Sequence, residues 1–204
     1  MKEASQRDAA SAVLELPNPL LLKQVHGITI HRAAHSAQGL EGDGWTLGPG
    51  DEGLCVAVYV ADCMPLYLWT DDGKYAGVFH AGWKGMAAGM PTKAVEALVE
   101  RGAKASRLQA AFGPHISADV YKVGEDLENS FPESSFRRNG NEIYLDLDAD
   151  ARRQLEAAGV PARMIGPKAP CTLSNEDAYH SFRRQKDGAR MLAFLSLDRS
   201  PRLP

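Results

Sequence analysis

Two apolar runs dominate the pattern along the chain: Val56-Ala-Val-Tyr-Val-Ala-Asp-Cys-Met-Pro-Leu-Tyr-Leu-Trp69 and Tyr75-Ala-Gly-Val-Phe-His-Ala-Gly-Trp-Lys-Gly85. Both are rich in β-branched and aromatic residues, which suits extended chain. Asp71-Asp72-Gly73 lies between them and is turn chemistry, so the second run is expected to return antiparallel to the segment from Leu66 to Trp69. Each run carries one group with metal or nucleophile chemistry, Cys63 in the first and His80 in the second.

Periodicity and punctuation predict the remaining elements. If the period is two, His26, Ile28 and Ile30 share one face of an early strand. Glycines crowd Ser36 to Gly53, so that stretch is expected to be loop close to the site. Pro91 to Gly102 reads as a helix, with Pro near its start, Ala94, Val95 and Leu98 on one side, and Gly102 as its stop. Leu108 to Phe112 reads as a strand that Gly113-Pro114 breaks, leaving His115 at its end. A short helix is expected over Val123 to Phe131, and a strand over Glu142 to Leu147. Asp148 is then expected to cap a helix that Gly159 closes. Strands are further expected at Ala162 to Ile165 and Ala189 to Leu197, with a capped helical turn near Ser174. Strands without regular βαβ alternation imply an α+β fold, a single domain of mixed β-sheets flanked by helices.

Composition narrows the function. A chain of 204 residues, 44% hydrophobic and 24% charged, can bury one sizeable core. We expect a loose arm over residues 1–19 and one catalytic domain over 20–198. The net charge of -3 comes without long blocks of one sign, which argues against a nucleic-acid or anionic-membrane partner and for small ligands. Cys55, Cys63 and Cys171 cannot all pair within the chain, and their spacing is no disulfide framework, so a reducing cytoplasm is expected. The polar start, and Pro17 and Pro19 inside the apolar run that follows it, do not make a signal peptide. No apolar run is long enough to span a bilayer.

The strongest chemical constellation is His26, Cys63 and His80. Three N,S,N donors leave the fourth position of a zinc site open to water or substrate, as catalytic zinc requires. The competing chemistry makes Cys63 a nucleophile, His80 its base, and Asp62 or Asp43 the orienter; an Asp at a strand end is equally often only a turn hydrogen bond. His115 is a candidate base, weighed against a plain loop histidine. Lys84, in a glycine-flanked turn, is a candidate anion contact, weighed against an exposed lysine. Of Arg183 and Arg184, candidates for phosphate, neighbours on an extended segment allow only one to point inward. His31, His35, His180, Cys55 and Cys171 are expected to be structural or solvent-facing.

Lys23-Gln-Val-His-Gly27, Ala61-Asp-Cys-Met-Pro65, His80-Ala-Gly-Trp-Lys-Gly85, Gly113-Pro-His-Ile116 with Tyr121-Lys-Val-Gly124, and Ser181-Phe-Arg-Arg184 occur in the order of one family. The chain resembles the laccase-domain, or YfiH-like, proteins from about Leu22 to Leu197. These are variously called multicopper polyphenol oxidases, peptidoglycan-editing factors and purine nucleoside phosphorylases. The resemblance implies zinc held by His26, Cys63 and His80. It also implies phosphorolysis of adenosine, inosine and methylthioadenosine, with adenosine deaminase activity. His115 and Lys84 stand where the family usually has Cys and Arg. The family's Gly-Gly-Val-Ser and Ser-Leu-Asn-Leu segments, which precede Gln-Val-His-Gly, find no counterpart, so part of the usual pocket is expected to be missing. Two further outcomes therefore stay open: a cysteine hydrolase or amidase editing peptidoglycan precursors, and a metal-stabilised binding domain without catalysis. A true laccase mechanism is excluded, because six histidines with no His-x-His pair cannot house a blue copper and a three-copper cluster. Copper remains possible as an adventitious occupant of the N,S,N site.

Overall fold

The computed structural model describes residues 17–197. Among them the strands are β1 (Ile30–Arg32), β2 (Gly44–Leu47), β3 (Cys55–Val60), β4 (Met64–Thr70), β5 (Ala76–Ala81), β6 (Leu108–Phe112), β7 (Lys122–Val123), β8 (Phe136–Asn139), β9 (Glu142–Leu145) and β10 (Met191–Ser196). The helices are α1 (Trp83–Ala87), α2 (Met90–Glu100), α3 (Leu147–Ala157) and α4 (Phe182–Gln185).

The central sheet has the order β1-β2-β5-β4-β6, antiparallel except for β1 beside β2. As the turn residues require, β4 and β5 form a hairpin around Asp71-Asp72-Gly73, with Leu66 opposite Phe79 and Pro65 opposite His80. Every residue of β5 is buried, because both faces of the sheet are covered. On one face Met64, Leu66, Leu68 and Phe79 meet Met90, Ala94, Val95 and Leu98 of α2 and Ala151 and Leu155 of α3. On the other, Trp45, Leu47 and Val78 meet Val56, Val58 and Val60 of β3, which pairs antiparallel with β10. The period-two alternation of β5 thus feeds two cores, and truncating Phe79 in the first would cost about 3–5 kcal/mol. A separate sheet, β7-β9-β8, lies beyond. This is an α+β arrangement of several sheets flanked by few helices.

Some expectations are corrected. Ser36 to Gly53 is not simply loop, because it contains β2, whose Trp45 is fully buried and donates from its indole N–H to the Ala57 carbonyl at 3.2 Å. Gly44 is needed there for room: a Cβ would come 2.6 Å from the Phe79 ring. The early strand begins only at Ile30, so His26, Ile28 and Ile30 do not share one strand face. Val123 to Phe131 forms β7 and a 3-10 helix, Glu125–Ser130, since the pairing with β9 on one side and Pro132 on the other leave too little chain for an α-helix. Leu127 and Phe131 are nevertheless buried. The cap of α3 is Asp146, whose carboxylate accepts from Ala149 N at 3.0 Å, while Asp148 pairs with Arg152. Ala162–Met164 is a 3-10 turn after Pro161, with only Ile165 bridged to Ala110. No capped helical turn starts at Ser174, where the chain makes only plain turns; the capped turn is α4, seven residues later, where Ser181 accepts from Arg184 N. Of the expected arm, residues 1–16 lie outside the described residues; Leu20 already bridges to Val56.

Candidate metal centre

Three backbone segments bring His26, Cys63 and His80 together. His80 sits in β5, only 3% exposed. Cys63 directly precedes β4, opposite the end of β5. His26 comes from the loop before β1, in a left-handed conformation with φ of 60°. One ligand atom from each of the three lies within 4.8 Å of the others, and the two imidazole rings meet edge-on with centroids 4.7 Å apart. Donors bound tetrahedrally to one ion at about 2.0–2.3 Å stand about 3.3–3.6 Å apart, so small rotations of these side chains would close the set. The donor chemistry fits a borderline-soft divalent ion. Among the described residues no other group of three His, Cys, Asp or Glu converges in this way.

Asp43 organises the loop around His26. Its fully buried carboxylate accepts from Val25 N at 3.3 Å, His26 N at 2.9 Å and Gly27 N at 2.7 Å, and contacts His80 Nδ1 at 2.8 Å. Three successive amides turned onto one carboxylate explain why the chain leaves extended geometry at His26. An Asp43 acceptor at Nδ1 also fixes the proton there and leaves His80 Nε2 as the ligand atom. Burial works against both charged forms, yet the mutual hydrogen bond prevails: Asp43 is held below its ordinary value, and His80 is raised to about 9. Burial likewise pushes the Cys63 thiol up, but hydrogen bonds with His26 and His80, and their charges, bring it down to about 6. These directions favour a Cys63 thiolate beside a His80 imidazolium when no metal is bound.

Gly82 makes the close approach possible. A Cβ at that position would lie 2.8 Å from Cys63 Sγ and 3.2 Å from the His26 ring. That is the physical content of glycine in His80-Ala-Gly-Trp83.

The cluster opens into a cleft of about 820 Å³ lined in part by Tyr59, Trp83, Ile116, Tyr121, Phe182 and Arg183. Cations stack on its aromatic side chains, Arg183 5.2 Å over Tyr121 and Arg190 5.1 Å over Phe182, while Lys84, outside the lining, lies 5.6 Å over Trp83. Arg183 and Arg190 have no carboxylate partner among the described residues. Burial, and then the Cys63 and Asp62 charges, push the Tyr121 phenol up to about 12, which keeps it protonated.

The sequence candidates divide. Arg183 lines the cleft, whereas Arg184 turns away to the carbonyls of Thr172, Leu173 and Tyr179. Lys84 is not in a turn but in the exposed first turn of α1, and it is not among the cleft-lining residues. His115 does not reach this cleft. Its segment is tied to Pro170 and Thr172 beside Cys171, and its ring lines a separate cavity with Asp146 and Asp148. Asp62 is a structural clamp rather than an orienter. Its carboxylate accepts from Thr172 Oγ1 at 2.6 Å, Ser181 Oγ at 3.1 Å and Arg183 N at 2.7 Å, holding the strained φ of 75° beside Cys63. Of the two possible orienters, Asp43 contacts His80. Tyr121, Phe182 and Arg190 were missed, although the aromatic of Tyr121-Lys-Val-Gly124 was a usable signal.

Residues 2–198 match the family described as multi-copper polyphenol oxidoreductase laccase. The chain is 35% identical over 185 residues to a purine nucleoside phosphorylase from Deinococcus radiodurans, covering 87% of this chain and 70% of that protein. It is 33% identical over 141 residues to adenosine deaminase RL5 from an unknown prokaryotic organism, covering 65% of this chain and 54% of that protein. The crystal structure of YlmD from Geobacillus stearothermophilus superposes with a TM-score of 0.85 at 31% identity, covering 94% of this chain and 78% of that one.

Proposed function

The chain belongs to the laccase-like multi-copper polyphenol oxidoreductase family, and we propose that within it this protein is a zinc-dependent purine nucleoside phosphorylase with adenosine deaminase activity. The observation that carries the reading is the convergence of His26, Cys63 and His80 at the wall of an aromatic and cationic cleft. The names of its relatives support nucleosides as substrates. Zinc held by these three residues would supply Lewis acidity and a bound water with its pKa lowered towards about 7.

The chain's own residues do the rest. Trp83, Tyr121 and Phe182 offer apolar faces for a flat base. Arg183, fixed by its stack on Tyr121 and by one N–H donated to the Lys122 carbonyl, holds phosphate with its remaining N–H groups, and Arg190 adds a second cation. In phosphorolysis a phosphate oxygen bonds to C1′ of the ribose as the bond to the purine nitrogen breaks, and the departing purine needs a proton. The protonated Tyr121 phenol is our candidate to hydrogen-bond that base; His115 and Lys84, outside the cleft, are not. Three unpaired cysteines support a cytoplasmic location. In the described residues no helix is long and apolar enough to cross a membrane.

A second reading, Cys63 as the nucleophile of an amidase acting on peptidoglycan precursors, draws support from its low thiol pKa beside His80. The two separate on one incubation. Zinc-loaded protein with inorganic phosphate and adenosine or inosine should yield the free purine and ribose 1-phosphate by mass, with inosine also formed from adenosine. Intact nucleosides alongside a cleaved muropeptide precursor would overturn the proposal.

A further inference from the structure

The cleft has a metal side and a cationic side, and one residue is tied to both. Cys63 belongs to the metal cluster, while Phe182 and Arg183 open α4 and line the cleft beyond it. Between β3 and β4 the chain passes from the sheet it shares with β10 to the central sheet in three residues, Ala61 to Cys63. Asp62 makes that passage with its φ of 75°.

Every hydrogen bond to the Asp62 carboxylate comes from the cationic side. Oδ2 accepts from Arg183 N at 2.7 Å and Ser181 Oγ at 3.1 Å, and Oδ1 accepts from Thr172 Oγ1 at 2.6 Å. Ser181 Oγ accepts in turn from Arg184 N at 3.2 Å, and Arg184 Nη1 donates to the Thr172 carbonyl at 3.1 Å, so the donors are locked to one another. Thr172 and Ser181 are fully buried, which keeps water from taking their place. His26 and His80 are held by a different carboxylate, that of Asp43. Arg183 is thus fixed at three points: its backbone by Asp62, and its guanidinium by the Tyr121 ring and the Lys122 carbonyl. Only the first is made by the sequence neighbour of a metal donor.

We propose that Asp62 is a positioning residue for phosphate, which fixes Arg183 relative to Cys63 and so biases the site towards phosphorolysis over deamination. This rests on the nucleoside reading above. The two reactions ask different things of the cleft. Phosphorolysis needs a phosphate oxygen aligned on C1′ of the ribose, and a misplacement of about 1 Å can cost roughly a hundredfold in rate. In deamination water adds at C6 of the purine and ammonia leaves, with no phosphate involved. A displaced Arg183 therefore harms the first reaction and spares the second.

Asp62→Asn tests the carboxylate alone, because Asn tolerates the same left-handed backbone. Whichever way its amide turns, an NH2 group meets donors that the carboxylate accepted. Inorganic phosphate, titrated calorimetrically into the zinc-loaded full chain, should bind about tenfold more weakly, with the zinc content unchanged. From adenosine and phosphate, the ratio of purine release to deamination should fall by a similar factor. Ser181→Ala, which keeps the carboxylate and removes one donor, should shift both readouts the same way but less. In an Arg183→Met chain, Asp62→Asn should cause no further loss of phosphate affinity, since it acts through Arg183. Phosphate binding is read without nucleoside, so protein that binds phosphate in this way yet leaves nucleosides intact contradicts the proposed reaction and not the role of Asp62. Equal phosphate affinity in wild type and Asp62→Asn, loss of zinc together with phosphate, or additive losses in the double variant would overturn the inference. Wild-type protein that binds no phosphate would overturn it as well.

Discussion

Replacing Asp43 by Asn changes one atom at the point where the loop of His26 and the strand of His80 are joined. The aspartate is fully buried and His80 is 3% exposed, so solvent does not screen their interaction. Asn keeps one acceptor oxygen but turns an NH2 group towards donors: in place of Oδ2 it meets Gly27 N at 2.7 Å and Val25 N at 3.3 Å, and in place of Oδ1 His80 Nδ1 at 2.8 Å and His26 N at 2.9 Å. Each lost bond to the carboxylate is worth about 1.5–3 kcal/mol, and breaking a buried charged pair costs about 3–5 kcal/mol in all. The His80 Nδ1 proton then faces a neutral amide instead of a carboxylate, and losing such an outer partner weakens metal binding roughly 10–100-fold. Competition against a chromophoric chelator should show that drop in zinc affinity, and denaturant titration the loss of stability. The acid limb should change as well. Asp43 sits below its ordinary 3.8 in the folded chain, so its contribution is fully present above that pH and is lost as pH falls through the lower folded value. The Asp43→Asn protein should lack that part of the acid transition. Unchanged zinc affinity and an unchanged unfolding midpoint would refute the assignment of Asp43 as organiser of the site.

Other consequences follow from the same geometry. Gly82→Ala puts a Cβ where Sγ stands at 2.8 Å, so it should cost about 1–3 kcal/mol and weaken zinc binding, read by calorimetric titration; wild-type affinity would count against the cradle. In metal-free protein, alkylation of Cys63 should reach half its maximal rate near pH 6, and zinc should slow it sharply; equal rates with and without chelator would favour the free nucleophile instead. Copper-loaded protein should show no intense blue thiolate band and should not reduce oxygen to water, as absorption and oxygen-consumption measurements can check; among the described residues only one ligand cluster is available.

How much of this was legible in the sequence depended on how local the cause was. The β4–β5 hairpin could be read because Asp71-Asp72-Gly73 sits between two β-rich runs, and α2 because Pro91, the Ala94, Val95 and Leu98 stripe and Gly102 agree. Strand β2 was hidden by its glycines, which suggested loop when one of them in fact makes room for Phe79. The three donors were legible as residue types, but the reason His26 reaches the others was not. That reason is Asp43, seventeen residues away in sequence and flanked by Gly42 and Gly44, with its role visible only once three amides fold onto it. His115 was misplaced because a strand end says where a backbone stops, not which way the next residues are tied. The bridge to Cys171 and the hydrogen bonds to Pro170 and Thr172 decided that.

The central claim is that His26, Cys63 and His80 hold one zinc ion on which nucleoside turnover depends, and following metal content and product formation through removal and return of zinc tests it most directly. The account predicts about one zinc per chain, loss of purine release from adenosine and phosphate on chelation, recovery on adding zinc, and no zinc retained by Cys63→Ala or His80→Ala. Turnover that survives complete removal of metal, or full zinc retention in both variants, would contradict it.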